Sequence, residues 1–127
     1  MEKSRGKLVK IPVTTKSLFK SYLSLTKPIN KLGPKEIDVL SLILYYNHIE
    51  KPNFKRDEDR WRKVFDYDTK MLIKEELEMK DYSLQNILSS LRRKKVIKNN
   101  VVMPYYIPDI DNSSTFKLVF QFQISNG

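Results

Sequence analysis

Leu84-Gln85-Asn86-Ile87-Leu88-Ser89-Ser90-Leu91-Arg92-Arg93-Lys94-Lys95-Val96-Ile97 is the stretch on which the reading of this chain turns. Leu84, Ile87, Leu88 and Leu91 fall at i, i+3, i+4 and i+7, the spacing that gathers apolar side chains along one stripe of an α-helix. Asp81 or Ser83 can cap such a helix. Its opposite face then carries Gln85, Asn86, Ser89, Arg92 and Arg93, all hydrogen-bonding and none bulky. The run continues into Lys94-Lys95-Val96-Ile97-Lys98, where a strand is expected to begin.

Two further helices are expected on the N-terminal side. Met71, Leu72, Ile73 and Leu77 suggest one near 68–79, capped by Asp68 or Thr69. Leu32-Gly33-Pro34-Lys35-Glu36 opens another over about 34–49. Pro34 suits the first helical position, Glu36 suits the positive end of the helix dipole, and Ile37, Leu40, Ile43 and Leu44 repeat at helical spacing. Between these two, residues 50–67 alternate in charge and read as irregular, with Val64, Phe65 and Tyr67 as a short strand.

On the C-terminal side the pattern changes period. Val101 to Ile107 reads as one strand and Pro108 to Ser114 as a turn. Phe116, Leu118, Phe120, Phe122 and Ile124 then alternate with Lys117, Val119, Gln121 and Gln123. That is the signature of a long β-hairpin with one apolar face to cover.

The net charge is +9 and is unevenly placed. Residues 1–35 hold nine Lys/Arg and one acid, which makes that segment +8 and the other 92 residues only +1. Residues 1–32 therefore read as a basic arm, in which Leu8, Val9, Ile11 and Val13 suit an edge strand interrupted by Pro12. Ser17 to Leu25 suits a short amphipathic helix. Residues 33–127 form the remaining domain. An excess gathered in an arm, with Lys3, Arg5, Lys7 and Lys10 as its contacts, can lie along a polyanion or another subunit. Its plainer role is to aid solubility.

The order helix, short strand, helix, helix, hairpin resembles a winged helix-turn-helix domain, as do the local sequences Leu32 to Leu40, Ile73 to Leu77 and Tyr82 to Ile97. The resemblance covers residues 33–124. It implies an α+β fold with a three-helix core, a long C-terminal β-hairpin as wing, and a basic N-terminal arm. It also implies non-enzymatic binding of double-stranded DNA, as a transcription regulator or replication accessory, with the third helix in the major groove. Gln85 and Asn86 have the chemistry for adenine, and Arg92 or Arg93 that for guanine. Ser83, Ser89, Lys94, Lys95 and Lys98 suit phosphate oxygens. Six or so phosphate contacts would give a log-log salt slope of about −5. The family usually places glycine near Lys95; this chain does not. Arg92 to Lys95 are equally what a helix C-terminus favours for its own dipole.

Other chemistries find little purchase. Without cysteine there is no disulfide, thiolate nucleophile or sulfur-built zinc site, and His48 is the only histidine. Asp109-Ile110-Asp111-Asn112-Ser113 imitates a calcium loop but has Ser114 where glycine is needed and Phe120 where an acid is needed. No cofactor, metal or catalytic group is expected. No apolar run is long enough for a membrane span, the start lacks a signal-peptide core, and a cytoplasmic protein is expected. The lysine-rich, alanine-free composition looks like that of A/T-rich phage genomes, so the compartment would be the host cytoplasm or a virion. The resemblance also implies a homodimer, with the arm or the C-terminal hairpin as its contact. The near-neutral body and long apolar hairpin keep a rival open: a virion or assembly structural protein that uses the same scaffold for protein contacts in a larger assembly.

Overall fold

The structure is a computed structural model that describes residues 6–110 and 114–125. Six helices precede a small antiparallel hairpin, an α+β arrangement. They are α1 (Thr15–Leu25), α2 (Lys27–Asn30), α3 (Pro34–Glu50), α4 (Asp57–Val64), α5 (Tyr67–Leu77) and α6 (Asp81–Arg93), followed by β1 (Ile97–Lys98) and β2 (Val101–Val102).

Helix α3 is the axle. Pro34 opens it, and the Glu36 carboxylate accepts from the Gly33 N–H at 2.8 Å, satisfying one of the free donors at the helix start. Ile37, Val39, Leu40, Leu42, Ile43 and Leu44 are all buried. A helix that is apolar on several sides must be covered on several sides. Helices α1, α4, α5 and α6 do so.

The segment read as an arm is in large part built into this core. Thr14 and Ser17 close a reciprocal cap at the start of α1, and Phe19 and Leu23 are buried against α3. Lys20 pairs with Asp38 at 3.0 Å, and Lys16 pairs with Glu76. The side chain of Asn30 donates to the Leu23 carbonyl and accepts from the Leu32 N–H, both at 2.9 Å, which fixes the corner into α3. Residues 6–13 form no strand; Leu8, Val9 and Ile11 are exposed.

Residues 57–64, expected to be irregular, are helical. The charges of α4 interlock at helical spacing instead of merely facing solvent: Arg60 pairs with Asp57, and Arg62 with Asp59 and Glu58. Acids at its start and bases at its end also suit the dipole. Val64 closes α4 and Phe65 follows as its cap, both buried, so the short strand expected at 64–67 is replaced by a helix end. The buried Arg60 donates from Nε to the buried Asn47 Oδ1 at 2.7 Å and ties α4 to α3.

Helix α5 is capped by Asp66, whose carboxylate accepts from the Thr69 N–H at 2.8 Å; the cap lies just before the expected Asp68 or Thr69. The turn to α6 passes through Glu78 at φ 51, with the Met79 N–H returning to the Lys74 carbonyl. In α6 the side chains of Leu84, Leu88 and Leu91 are buried and Ile87 packs beside them, as their spacing demands. Lys80, not Asp81 or Ser83, occupies the cap position.

The hairpin is the largest departure from expectation. Ile97 faces Val102 and Lys98 faces Val101, joined by Asn99-Asn100. Both asparagines have positive φ, 54 and 55, the backbone of a type I′ turn. The strand expected over 101–107 thus ends at Val102 and gives way to a 3-10 turn at Pro104–Tyr106. Residues 116–124 are in no strand. The long C-terminal β-hairpin is therefore not formed. Residues 111–113 of its expected turn lie outside the described residues.

Candidate nucleic-acid interface

Helix α6 holds its apolar edge inward by burying three leucines, each worth about 1.5–3 kcal/mol. The opposite edge follows of necessity. Asn86, Arg92 and Arg93 are exposed, while Ser83, Gln85 and Ser89 are half-buried. Asn86, Ser89 and Arg93 share one line along the helix, with Gln85 and Arg92 beside it. Tyr82 extends that line toward the helix start and is 68% exposed. The sequence reading assigned Tyr82 no role; its position opposite Leu84 and Leu88 on the helical wheel was the available signal.

The corner after α6 is built without glycine. Lys95 takes φ 61, the Val96 N–H returns to the Leu91 carbonyl at 2.9 Å, and the Lys95 N–H to the Arg92 carbonyl at 3.0 Å. These are the two bonds of a Schellman ending, and the buried pair Val96 and Leu91 supplies its usual apolar contact. The backbone thus adopts the turn that glycine would favour, and the lysine side chain is left exposed.

The basic cluster divides at this corner. Lys94 donates to Glu36 Oε1 at 2.6 Å, while Ser90 donates to Glu36 Oε2, also at 2.6 Å. Glu36 is buried. Burial alone would push its pKa up, but the Lys94, Ser90 and Gly33 donors outweigh it and hold the group below its ordinary 4.5. Lys94 therefore fastens α6 to α3, and its charge is largely neutralised. The side chains of Arg92, Arg93, Lys95 and Lys98 are exposed and have no hydrogen bond or ion pair among the described residues.

Charge also runs along α6. Its start lies beside Glu75, Glu78 and Asp81, of which Asp81 pairs with Lys74 at 3.2 Å. Its end holds the four unpaired cations. An approaching polyanion meets a mixed first turn, where Lys80 stands exposed among these acids, and four unpaired cations at the last. Of the arm, Lys7 and Lys10 are exposed, whereas Lys3 and Arg5 lie outside the described residues. Among the described residues no hydrogen bond or ion pair joins Lys7 or Lys10 to α6.

No group of His, Asp or Glu that could hold a metal occurs among the described residues. His48 lies 5.8 Å from the Phe19 ring, and burial lowers its pKa, with Lys51 adding to the effect. No helix among the described residues is long and apolar enough to cross a membrane. No protein-family model matches the chain, and no match is found among curated proteins or solved structures.

Proposed function

We propose that this is a non-enzymatic, winged-helix-like protein that binds double-stranded DNA through α6 and the short hairpin. One observation carries the reading: Arg92, Arg93, Lys95 and Lys98 stand exposed and unpaired within one short stretch, beside the outward amides of Gln85 and Asn86. The cations would hold phosphates and the amides would read adenine edges in the major groove. Ser83 and Ser89 lie on the same side as further phosphate donors. Lys94 contributes less than its neighbours because Glu36 already holds it. A regulator or replication accessory in a cytoplasm is the corresponding role.

Titration into duplex DNA at two salt concentrations tests this. Binding should weaken steeply with salt. Replacing Arg92, Arg93, Lys95 and Lys98 together by alanine should flatten the log-log slope by about 3.6, at roughly 0.9 for each phosphate no longer neutralised. Gln85→Ala with Asn86→Ala should keep the non-specific affinity and its salt slope and lose sequence preference. Binding that is absent, or indifferent to salt, overturns the reading.

A second reading, a structural protein of a virion or other assembly, is favoured by the apolar side chains left uncovered at both ends of the described chain. These include Leu8, Val9, Phe122 and Ile124.

A further inference from the structure

Residues 116–124 carry a strand's side-chain pattern without a strand's partner. Apart from Thr115 just before them, their backbone N–H and C=O groups make no hydrogen bond among the described residues. Their apolar stripe leaves the body gradually. Phe116 meets Tyr22 edge-on at 5.9 Å and Leu118 is half-buried, but Phe120 is 47%, Phe122 88% and Ile124 93% exposed. Beside the seated part lies a cavity of about 200 Å³ lined by Tyr22, Ile29, Tyr105, Tyr106, Leu118 and Phe120. Cavities of about 150 Å³ accept a benzene ring, so this one has room for a phenylalanine side chain.

We propose that this segment pairs, as an antiparallel β-ribbon centred on Phe120, with the same segment of a second copy of the chain. The pairing is self-complementary: Phe116 faces Ile124, Leu118 faces Phe122, and Phe120 faces its own counterpart. On the other side of the ribbon Lys117 faces Gln123, so no like charges meet. Antiparallel order also places the bare end of each strand next to the seated beginning of the other. Phe122 and Ile124 of one copy thereby arrive at the cavity of its partner. Such an interface is isologous and closes at two.

The areas agree. Phe120, Phe122 and Ile124 expose on the order of 400 Å² per copy at typical side-chain sizes, so two copies bring roughly 800 Å² of apolar side chain toward the roughly 1,000 Å² of a specific interface. The open backbone edges add the main-chain hydrogen bonds of strand addition. Nothing here depends on what α6 binds, and the two can fail separately.

The test uses the full chain. Sedimentation equilibrium should give about twice the 15.1 kDa of one chain. The double variant Phe122→Lys/Ile124→Lys should sediment as one chain and unfold at the midpoint the wild type shows when diluted to single chains, because both side chains are exposed on the single chain. Ile29→Lys, at the exposed rim of the cavity, should weaken association in the same way. The absence of cysteine permits a register test. Mild oxidation should cross-link Phe120→Cys to itself, since facing Cα atoms of an antiparallel pair lie within disulfide reach. Val119→Cys should cross-link to Gln121→Cys and not to itself. A wild-type chain that stays single up to its solubility limit overturns the proposal. So does a mass that grows without limit, a double variant that still dimerises, or self-cross-linking at all three positions, which would mean parallel pairing.

Discussion

Helix α1 and the segment 116–124 flank the same groove, yet one is part of the core and the other only rests against it. Helix α1 buries Phe19 and Leu23, caps its own start through Thr14 and Ser17, and is tied by Lys16 and Lys20 to Glu76 and Asp38. The C-terminal segment seats Phe116 and Leu118 and then carries Phe122 and Ile124 into solvent. A helix satisfies its backbone internally, so one docked face is enough to hold it. An extended segment needs a second strand for its N–H and C=O groups, and this chain supplies none among the described residues.

The largest expected effect measures that contrast directly. Phe19→Ala should cost about 3–5 kcal/mol, the range for emptying a packed aromatic site, read as a lower urea midpoint at unchanged slope. Phe122→Ala should change the stability of the single chain by no more than about 0.5 kcal/mol, as exposed sites do. If the two losses are similar at a concentration where the chain is monomeric, the C-terminal segment is held in a way that its exposure does not suggest.

The link between α3 and α6 comes next. Glu36→Gln keeps an oxygen for the Gly33 N–H but removes the charge that meets Lys94, and should cost roughly 1–3 kcal/mol. The pH dependence follows from the same group. Its carboxyl is held below its ordinary 4.5, so its contribution is full above that value and drains away as pH falls through the lower, folded-state value. His48 acts in the same direction from a higher starting point. Burial beside Phe19 favours the neutral ring and lowers its pKa from 6.5, so the unfolded chain takes up a proton first and stability begins to fall below 6.5. Wild-type stability should therefore decline in two stages on acidification. His48→Gln should remove the upper stage and Glu36→Gln shrink the lower, both followed by urea unfolding across pH. Asp66 shares the lower stage: burial would raise its carboxyl, but its Thr69 and Lys63 donors outweigh that and hold it below 3.8.

What could be read from the residues depended on whether a signal was local. The apolar spacing of Leu84 to Leu91 and the Gly33-Pro34-Glu36 opening lie within single helices, and α3 and α6 lie where that spacing puts them. Helix α4 was missed because its interleaved charges look like a solvated loop until they are placed at i, i+3 and i+4. The expected long hairpin failed for the opposite reason. Alternation at 116–124 specifies which face is apolar, but it cannot say whether another strand lies beside it. The outward edge of α6 was legible as the complement of its leucines. The neutralisation of Lys94 was not, because Glu36 lies far away in sequence and meets it only through the packing of α3 on α6.

The smallest effect concerns the corner that separates bound from unbound cations. Lys95 holds φ 61, a conformation that costs an L-residue about 1–2 kcal/mol relative to glycine, partly offset by the greater freedom glycine has in the unfolded chain. Lys95→Gly should therefore stabilise the protein by about 1 kcal/mol or less while leaving the Schellman bonds to Leu91 and Arg92 in place. The same change removes one of the four unpaired charges, so a DNA salt slope should fall by about 0.9 even as the unfolding midpoint rises. Opposite movements in the two measurements would mark Lys95 as a lysine tolerated in a glycine conformation for its charge. A midpoint that rises with no change in slope would assign it only to the turn.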